Sequence, residues 1–201
     1  DAFLQHIQTI EPDPATDLEG ITQNKLASTP NAAEDLKTTE WVISQEPDVI
    51  MATRVEDAKV AAALNRYAGQ ENRRVYIALR AGTTFEALAQ WRKLIGDEAK
   101  AAKNLRMIIT GRVLRKLCAA CKAGYTPDPL TLRKLNMDPD KVGKLFQART
   151  QPMRDAKGNP VPCEFCKELY FKGRTGVFEV FYIDDEARAV IEAGGSLNQL
   201  K

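Results

Sequence analysis

Asp48-Val49-Ile50-Met51-Ala52 is an almost wholly apolar run, set between Pro47 and the polar pair Thr53-Arg54. A short apolar run bounded in this way is the pattern of a strand covered on both faces of a parallel sheet. Its flanks support that reading. Upstream, Asn31 is placed to cap a helix over 32–45, where Ala33, Leu36, Val42 and Ile43 fall near helical spacing with Trp41 beside them, and Pro47 ends it. Downstream, 55–67 is alanine-rich with a helical pattern, Arg74 to Leu79 is a second buried strand, and Thr83 or Thr84 caps a helix through Leu94. Strands alternating with helices at this rhythm predict an α/β layered fold.

Further out, Leu4 to Ile10 reads as a strand closed by Glu11-Pro12-Asp13-Pro14, where two prolines stop ladder bonding. A loop carrying Gly20 and Pro30 follows it, and residues 100–117 read as another helix. After Cys118 the pattern changes to prolines and short polar helices. Residues 149–162 read as an exposed loop or hairpin, Gly173-Arg174-Thr175-Gly176 as a turn, 177–183 as a strong strand and 185–193 as a closing helix. The expected division is therefore an α/β domain over 1–112 and a second, cysteine-bearing subdomain over 113–201.

The 201 residues include 29 Lys and Arg against 27 Asp and Glu, so a balance of +2 gives no global sign of nucleic-acid or anionic-membrane binding. Any such role must rest on a local patch. The longest apolar runs are far too short to cross a bilayer, and no signal-peptide pattern precedes them, so a cytoplasmic protein is expected. The start at Asp1, with no initiator Met, suggests a piece of a longer protein.

All four cysteines fall into two Cys-x-x-Cys pairs, Cys118/Cys121 and Cys163/Cys166. Two such pairs supply the tetrahedral sulfur shell that zinc prefers. Two disulfides would need an oxidising compartment that nothing else supports, and unrelated core thiols would not pair at this spacing. The reading is a structural zinc that holds 113–183 together, with no position left open for a catalytic water. Arg112, Arg115, Lys116 and Lys122 surround the first pair, and Lys167, Lys172 and Arg174 follow the second. A tetrathiolate zinc carries a charge of about −2, which such cations stabilise. The alternative, a zinc-ribbon module for nucleic acid, would need aromatics interleaved with those cations, and Tyr125 and Phe165 are not so placed along the chain.

His6 is the only histidine and lies in a predicted strand with no motif around it, which marks it as a structural or surface residue. No G-x-x-x-x-G-K-[ST] phosphate loop occurs in the 201 residues.

Five segments carry a family resemblance. They are Thr9-Ile10-Glu11, Leu18-Glu19-Gly20-Ile21-Thr22-Gln23, Gln45-Glu46-Pro47-Asp48-Val49-Ile50-Met51, the run from Arg112 to Lys122, and Gly173-Arg174-Thr175-Gly176-Val177-Phe178-Glu179-Val180. In order and spacing they resemble the C-terminal half of the type II secretion and type IV pilus assembly ATPases. The resemblance implies the C-terminal part of a RecA-like ATPase domain followed by a tetracysteine zinc subdomain. It also implies a hexameric ring at the cytoplasmic face of the inner membrane, which uses ATP and magnesium to drive a membrane platform protein that assembles pilin-like subunits. No nucleic-acid partner is implied, and the family's phosphate loop lies upstream of the Thr9-Ile10-Glu11 segment, before Asp1.

The chain departs from the family where nucleotide chemistry is expected. The family's strand runs into G-E-I-R-D, whose Glu orients the attacking water beside magnesium; here the stretch is Thr53-Arg54-Val55-Glu56-Asp57. Arg54 cannot deprotonate water. Arg80 stands in place of the histidine of L-H-T-N-D, and Pro12 interrupts the acidic segment that begins at Glu11. Losing one well-placed polar group from a transition state costs about 3–4 kcal/mol, or 10²- to 10³-fold in rate. Two losses would leave little catalysis. The expectation is degenerate hydrolysis, in a chain kept for ring assembly or as an inactive scaffold on the platform, unless Glu11, Glu56 or Asp57 supplies a residual carboxylate.

Overall fold

A computed structural model describes residues 5–200. They form two compact units: one includes everything up to Thr110 and resumes at Glu179, and the other is Gly111–Phe178.

In the first unit, four parallel strands make one sheet in the order β2 (Ile21–Lys25), β1 (Ile7–Glu11), β3 (Val49–Ala52), β4 (Arg74–Ile77). Register places Ile7 beside both Ile21 and Val49, and Met51 between Thr9 and Tyr76. The last four residues of the run Asp48–Ala52 form β3, one of the two inner strands. Val49, Ile50 and Ala52 are buried, but Met51 is 45% exposed and its neighbour Tyr76 57%. The expected two-sided burial therefore holds for one face only, where Ile10, Ile50 and Ala52 pack with Val42, Val60, Ala61 and Leu64 of the helices. β4 has a single neighbour and alternates exposed with half-buried residues, as an edge strand does.

The helices start where their caps put them. Asn31 accepts from the amides of Ala33 and Glu34 to open α1 (Ala32–Ser44), and Asp57 accepts from Lys59 and Val60 to open α2 (Ala58–Ala68). Thr83 opens α3 (Thr84–Ile95), and Gly96, at φ +68°, closes it in the left-handed conformation that glycine adopts freely. Tyr67 of α2 donates its buried hydroxyl to Pro47 O at 2.5 Å, tying the helix to the start of β3.

The expected helix over 100–117 is not formed. α4 (Glu98–Lys103) stops at Asn104, and β5 (Met107–Leu117) follows. The run Met107-Ile108-Ile109-Thr110 is rich in β-branched side chains, which favour a pleated strand over a helix. β5 pairs with β10 (Phe171–Tyr182), which also takes in the Gly173–Gly176 stretch read as a turn; Gly173 has φ +82° within the strand. Residues 21–25, read as loop, form edge strand β2, and the part of the first predicted strand before residue 5 lies outside the described residues.

α6 (Asp185–Glu192) was expected with the cysteine subdomain, but its Ile191 and Ala187, with Ile183, pack on Leu88 and Ala102 in the first unit. Arg188 locks this by donating to the carbonyls of Ala102, Lys103 and Leu105. Apolar pairing with α3 and α4, which sequence periodicity cannot reveal, decides where α6 belongs.

The second unit is sparing in structure. It has β6 (Ala123–Tyr125) antiparallel to β7 (Leu145–Gln147), the short helix α5 (Pro129–Lys134), and a hairpin of β8 (Met153–Arg154) and β9 (Pro160–Val161). The hairpin answers to the loop or hairpin read over 149–162, and Asp155 closes it by accepting from the amides of Lys157 and Asn159. Those amides hold the Asp155 carboxyl below its usual range, that of Asn159 contributing most.

Candidate metal centre and the carboxyl end of the sheet

Two turns bring the four cysteines together. After β5 the chain curls at Cys118–Cys121, with Lys122 N–H donating to Cys118 O at 3.0 Å. After β9 it curls at Cys163–Cys166, with Lys167 N–H donating to Cys163 O at 2.7 Å. Lys167, Glu168 and Tyr170 all have positive φ, a costly run that persists only where its surroundings fix it. Cys118 N–H donates to Tyr170 O at 2.9 Å and joins the two turns.

All four thiols are buried and free. Their sulfurs lie within 4.8 Å of one another, with Cys118–Cys163 at 3.9 Å and Cys121–Cys166 at 3.5 Å. A disulfide would need about 2.05 Å. A tetrahedron of sulfurs on bonds of about 2.3 Å has edges of about 3.8 Å, which the two distances bracket. Burial and the neighbouring thiols push Cys121 up to about 12, while the amide of Cys166, followed by that of Phe165, holds Cys163 down to about 7. Four thiolates would share such a space only with a cation among them, and these four sulfurs could hold a metal ion.

Three of the cations near the cysteines in sequence lie over aromatic rings. Arg115 lies 4.1 Å over the Phe171 ring, Lys122 4.1 Å over Phe146 and Lys172 5.7 Å over Phe165. Aromatics and cations that are separate along the chain are thus interleaved in space, each ring already carrying a cation of its own unit. Arg149 donates its Nε–H to Cys121 O at 3.0 Å. Gly111–Phe178 holds fourteen Lys and Arg against six Asp and Glu, a net +8, and the rest of the chain, fifteen against twenty-one, is −6. The whole-chain balance of +2 hides this segregation.

In open parallel α/β sheets ligands bind beyond the carboxyl ends of the strands. Glu11 ends β1 there, Arg54 lies two residues past β3 and Arg80 three past β4. Glu11 accepts from Thr9 Oγ1 at 2.5 Å and Gln23 Nε2 at 3.2 Å. Arg54 is a strut. One arm of its guanidinium donates to Ala27 O at 2.9 Å and Ser28 O at 3.3 Å, and the other grips both Asp35 oxygens at 2.9 and 3.0 Å. Arg80 is exposed, and its carbonyl accepts from Gln90 Nε2 at 2.7 Å. Glu56 is exposed, whereas Asp57 is occupied in capping α2. His6 is exposed and shares a 2.9 Å hydrogen bond with Gln8 Nε2.

Asp35 went unnoticed in the sequence, since an acidic residue in the first turn of a helix is ordinary. The residues at this end do not fit a catalytic magnesium. Asp35 is paired with Arg54, Asp57 is taken by amide donors, Glu11 accepts from Thr9 and Gln23, and the second residue past β3 is a cation.

A parallel α/β sheet joined to a separate four-cysteine unit is the class of protein these features define. The family model for type II/IV secretion system proteins matches residues 3–201, and the chain belongs to that family. It is 28% identical over 198 residues to the type IV pilus assembly ATPase PilB of Thermus thermophilus, covering 98% of this chain and 21% of that protein. To the type II secretion system protein E of Aeromonas hydrophila it is 27% identical, covering 96% and 36%. The chain thus spans about a fifth to a third of these relatives. Among solved structures it shares its fold with the pilus retraction motor PilT, with a TM-score of 0.59 at 14% identity over 98% of this chain and 43% of that one. The Legionella pneumophila ATPase DotB gives 0.54 at 13% identity, over 98% and 41%. Among the described residues no helix is long and apolar enough to cross a membrane.

Proposed function

We propose that the chain is the C-terminal part of a secretion or pilus-assembly motor subunit in which hydrolysis is degenerate, and which serves ring assembly or docking to a membrane platform protein. Family membership supports the general role. The observation that carries the finer reading is Arg54, past the end of β3, held by Asp35 where the family has the carboxylate that orients water. Zinc at Cys118, Cys121, Cys163 and Cys166 is the structural metal, ATP is a ligand of the whole polypeptide, and the assembly is a homo-hexamer at the cytoplasmic face of the inner membrane.

The test is ATP turnover by the full polypeptide that carries this chain, measured beside the Thermus thermophilus relative. Turnover lower by roughly 10²-fold or more is expected. Equal turnover would reject the degenerate reading. If Glu56 or Asp57 positions water instead, Glu56→Gln or Asp57→Asn will suppress whatever turnover exists; unchanged rates reject that alternative.

A further inference from the structure

We propose that Arg54 and Asp35 act as one device, an internal cation clamp. The guanidinium supplies the positive charge at the carboxyl end of β3, excludes a divalent ion from it, and pins the segment after β2 and the first turn of α1 to β3. Asp35 is the positioning residue. The inference deepens the proposed function, on which its nucleotide context rests, and adds a residue and a metal preference that hydrolysis measurements do not address.

Three observations set this pair apart from a surface ion pair. Both side chains are withdrawn from water, at 10% and 13% exposure. One nitrogen, Nη2, donates to both Asp35 oxygens while Nη1 is spent elsewhere, a division between two donor nitrogens that a lysine, with one, cannot make. The remaining arm is spent on two backbone carbonyls, Ala27 O and Ser28 O, so that one side chain past β3 ties together the segment after β2 and the first turn of α1. Arg54 Nε is buried with no partner, a cost accepted at this position and at no other side-chain N or O among the described residues.

The clamp also decides which ions can approach. Asp35 lines a surface cavity of about 430 Å³ with Lys25, Leu26, Glu34, Lys37 and Trp41, so solvent ions reach its edge. A divalent ion about 5 Å from a fixed guanidinium would be disfavoured on the order of 10²-fold or more per unit charge at an effective dielectric constant near 20. With the guanidinium replaced by a carboxylate, the same place holds two oxygen ligand groups, the usual protein contribution to magnesium or manganese binding.

The experiment uses the chain and its Arg54→Glu, Arg54→Met, Asp35→Asn and Arg54→Met/Asp35→Leu variants. Mn²⁺ binding is read by electron paramagnetic resonance, and melting is followed with and without Mg²⁺. The unsubstituted chain is expected to melt at the same temperature with or without Mg²⁺ and to hold no Mn²⁺ that Asp35→Asn removes. Asp35→Asn and Arg54→Met should each lower the folding equilibrium by roughly 10²- to 10³-fold, because each strands a buried charge. The apolar pair should melt at or above either single variant. Arg54→Glu should acquire Mn²⁺ binding and a Mg²⁺-dependent rise in melting temperature.

Mn²⁺ held by the unsubstituted chain and lost on Asp35→Asn, or an Arg54→Met protein as stable as the parent, overturns the clamp. If Arg54→Glu does not fold, the comparison of Asp35→Asn with the apolar pair decides alone: additive losses refute coupling, and recovery supports it. Rapid ATP turnover with these couplings intact would sink the degenerate reading and leave the clamp standing, so the two failures are distinguishable.

Discussion

Removing metal from the four-cysteine site should unfold one unit of this chain and spare the other. Among the described residues of Gly111–Phe178, the buried apolar side chains are Pro127, Leu132 and the four cysteines, with Met153 and Tyr170 packed against the cysteines. One buried leucine contributes about 2 kcal/mol. Structural zinc in small peptides contributes about 10–16 kcal/mol near neutral pH. The metal term is therefore several times larger than any packing term available to the unit. The first unit has an independent core of Ile10, Val42, Ile50, Leu64 and their neighbours. The assay is amide hydrogen exchange on the chain with metal bound and after chelation, alongside metal analysis. About one zinc per chain is expected. Chelation should erase protection from β6 through β9 while β1, β3 and α2 keep theirs, and Cys163→Ser should reproduce the loss without a chelator. A metal-free chain with unchanged protection over 111–178 would refute the argument.

Three other outcomes are expected. Leu64→Ala, at a fully buried position in α2, should cost about 2–5 kcal/mol in a denaturant titration. Tyr67→Phe leaves Pro47 O without its donor and should cost about 1–3 kcal/mol in the same titration. Asp57→Ala should lose about 1 kcal/mol with the α2 cap, and Asp57→Asn almost nothing, since asparagine caps equally well; an equal loss in both would mean that the carboxylate has a task beyond capping.

How much of this was legible in the sequence depended on which force decides each feature. Local forces were readable: the caps at Asn31 and Thr83, the apolar β3, the punctuation at Pro47 and the Cys-x-x-Cys pairs all act within a few residues. Features set by distant partners were not. β2 is a strand because it pairs with β1, and its Ile21-Thr22-Gln23-Asn24-Lys25 has little apolar content to announce it. Residues 107–117 mix β-branched Ile108, Ile109, Thr110 and Val113 with helix-compatible Leu, Arg and Lys, and pairing with β10 resolves the mixture as a strand. The same holds at the site: Arg54 could be flagged as a departure from the family, but its partner Asp35 lies nineteen residues away in a helix that looks unremarkable.

That contrast bears on how the two ends of the molecule differ chemically. At the cysteine centre the sequence states the whole ligand set, because a metal site needs specific atoms at specific spacing and tolerates little else. At the carboxyl end of the sheet Arg54 sits in an ion pair with Asp35, and an ion pair can be rebuilt from many residue pairs without a motif. Arg54 therefore signals an altered site in the sequence, while only the geometry shows that the alteration is compensated. An arginine at this position without Asp35 would be a buried cation left uncompensated, at a cost of several kcal/mol. The two Asp35 oxygens and the two backbone carbonyls offset that cost. The charge reversal past β3 is thus an integrated part of the fold, which is why restoring a glutamate at position 54 alone should weaken the protein rather than return a catalyst.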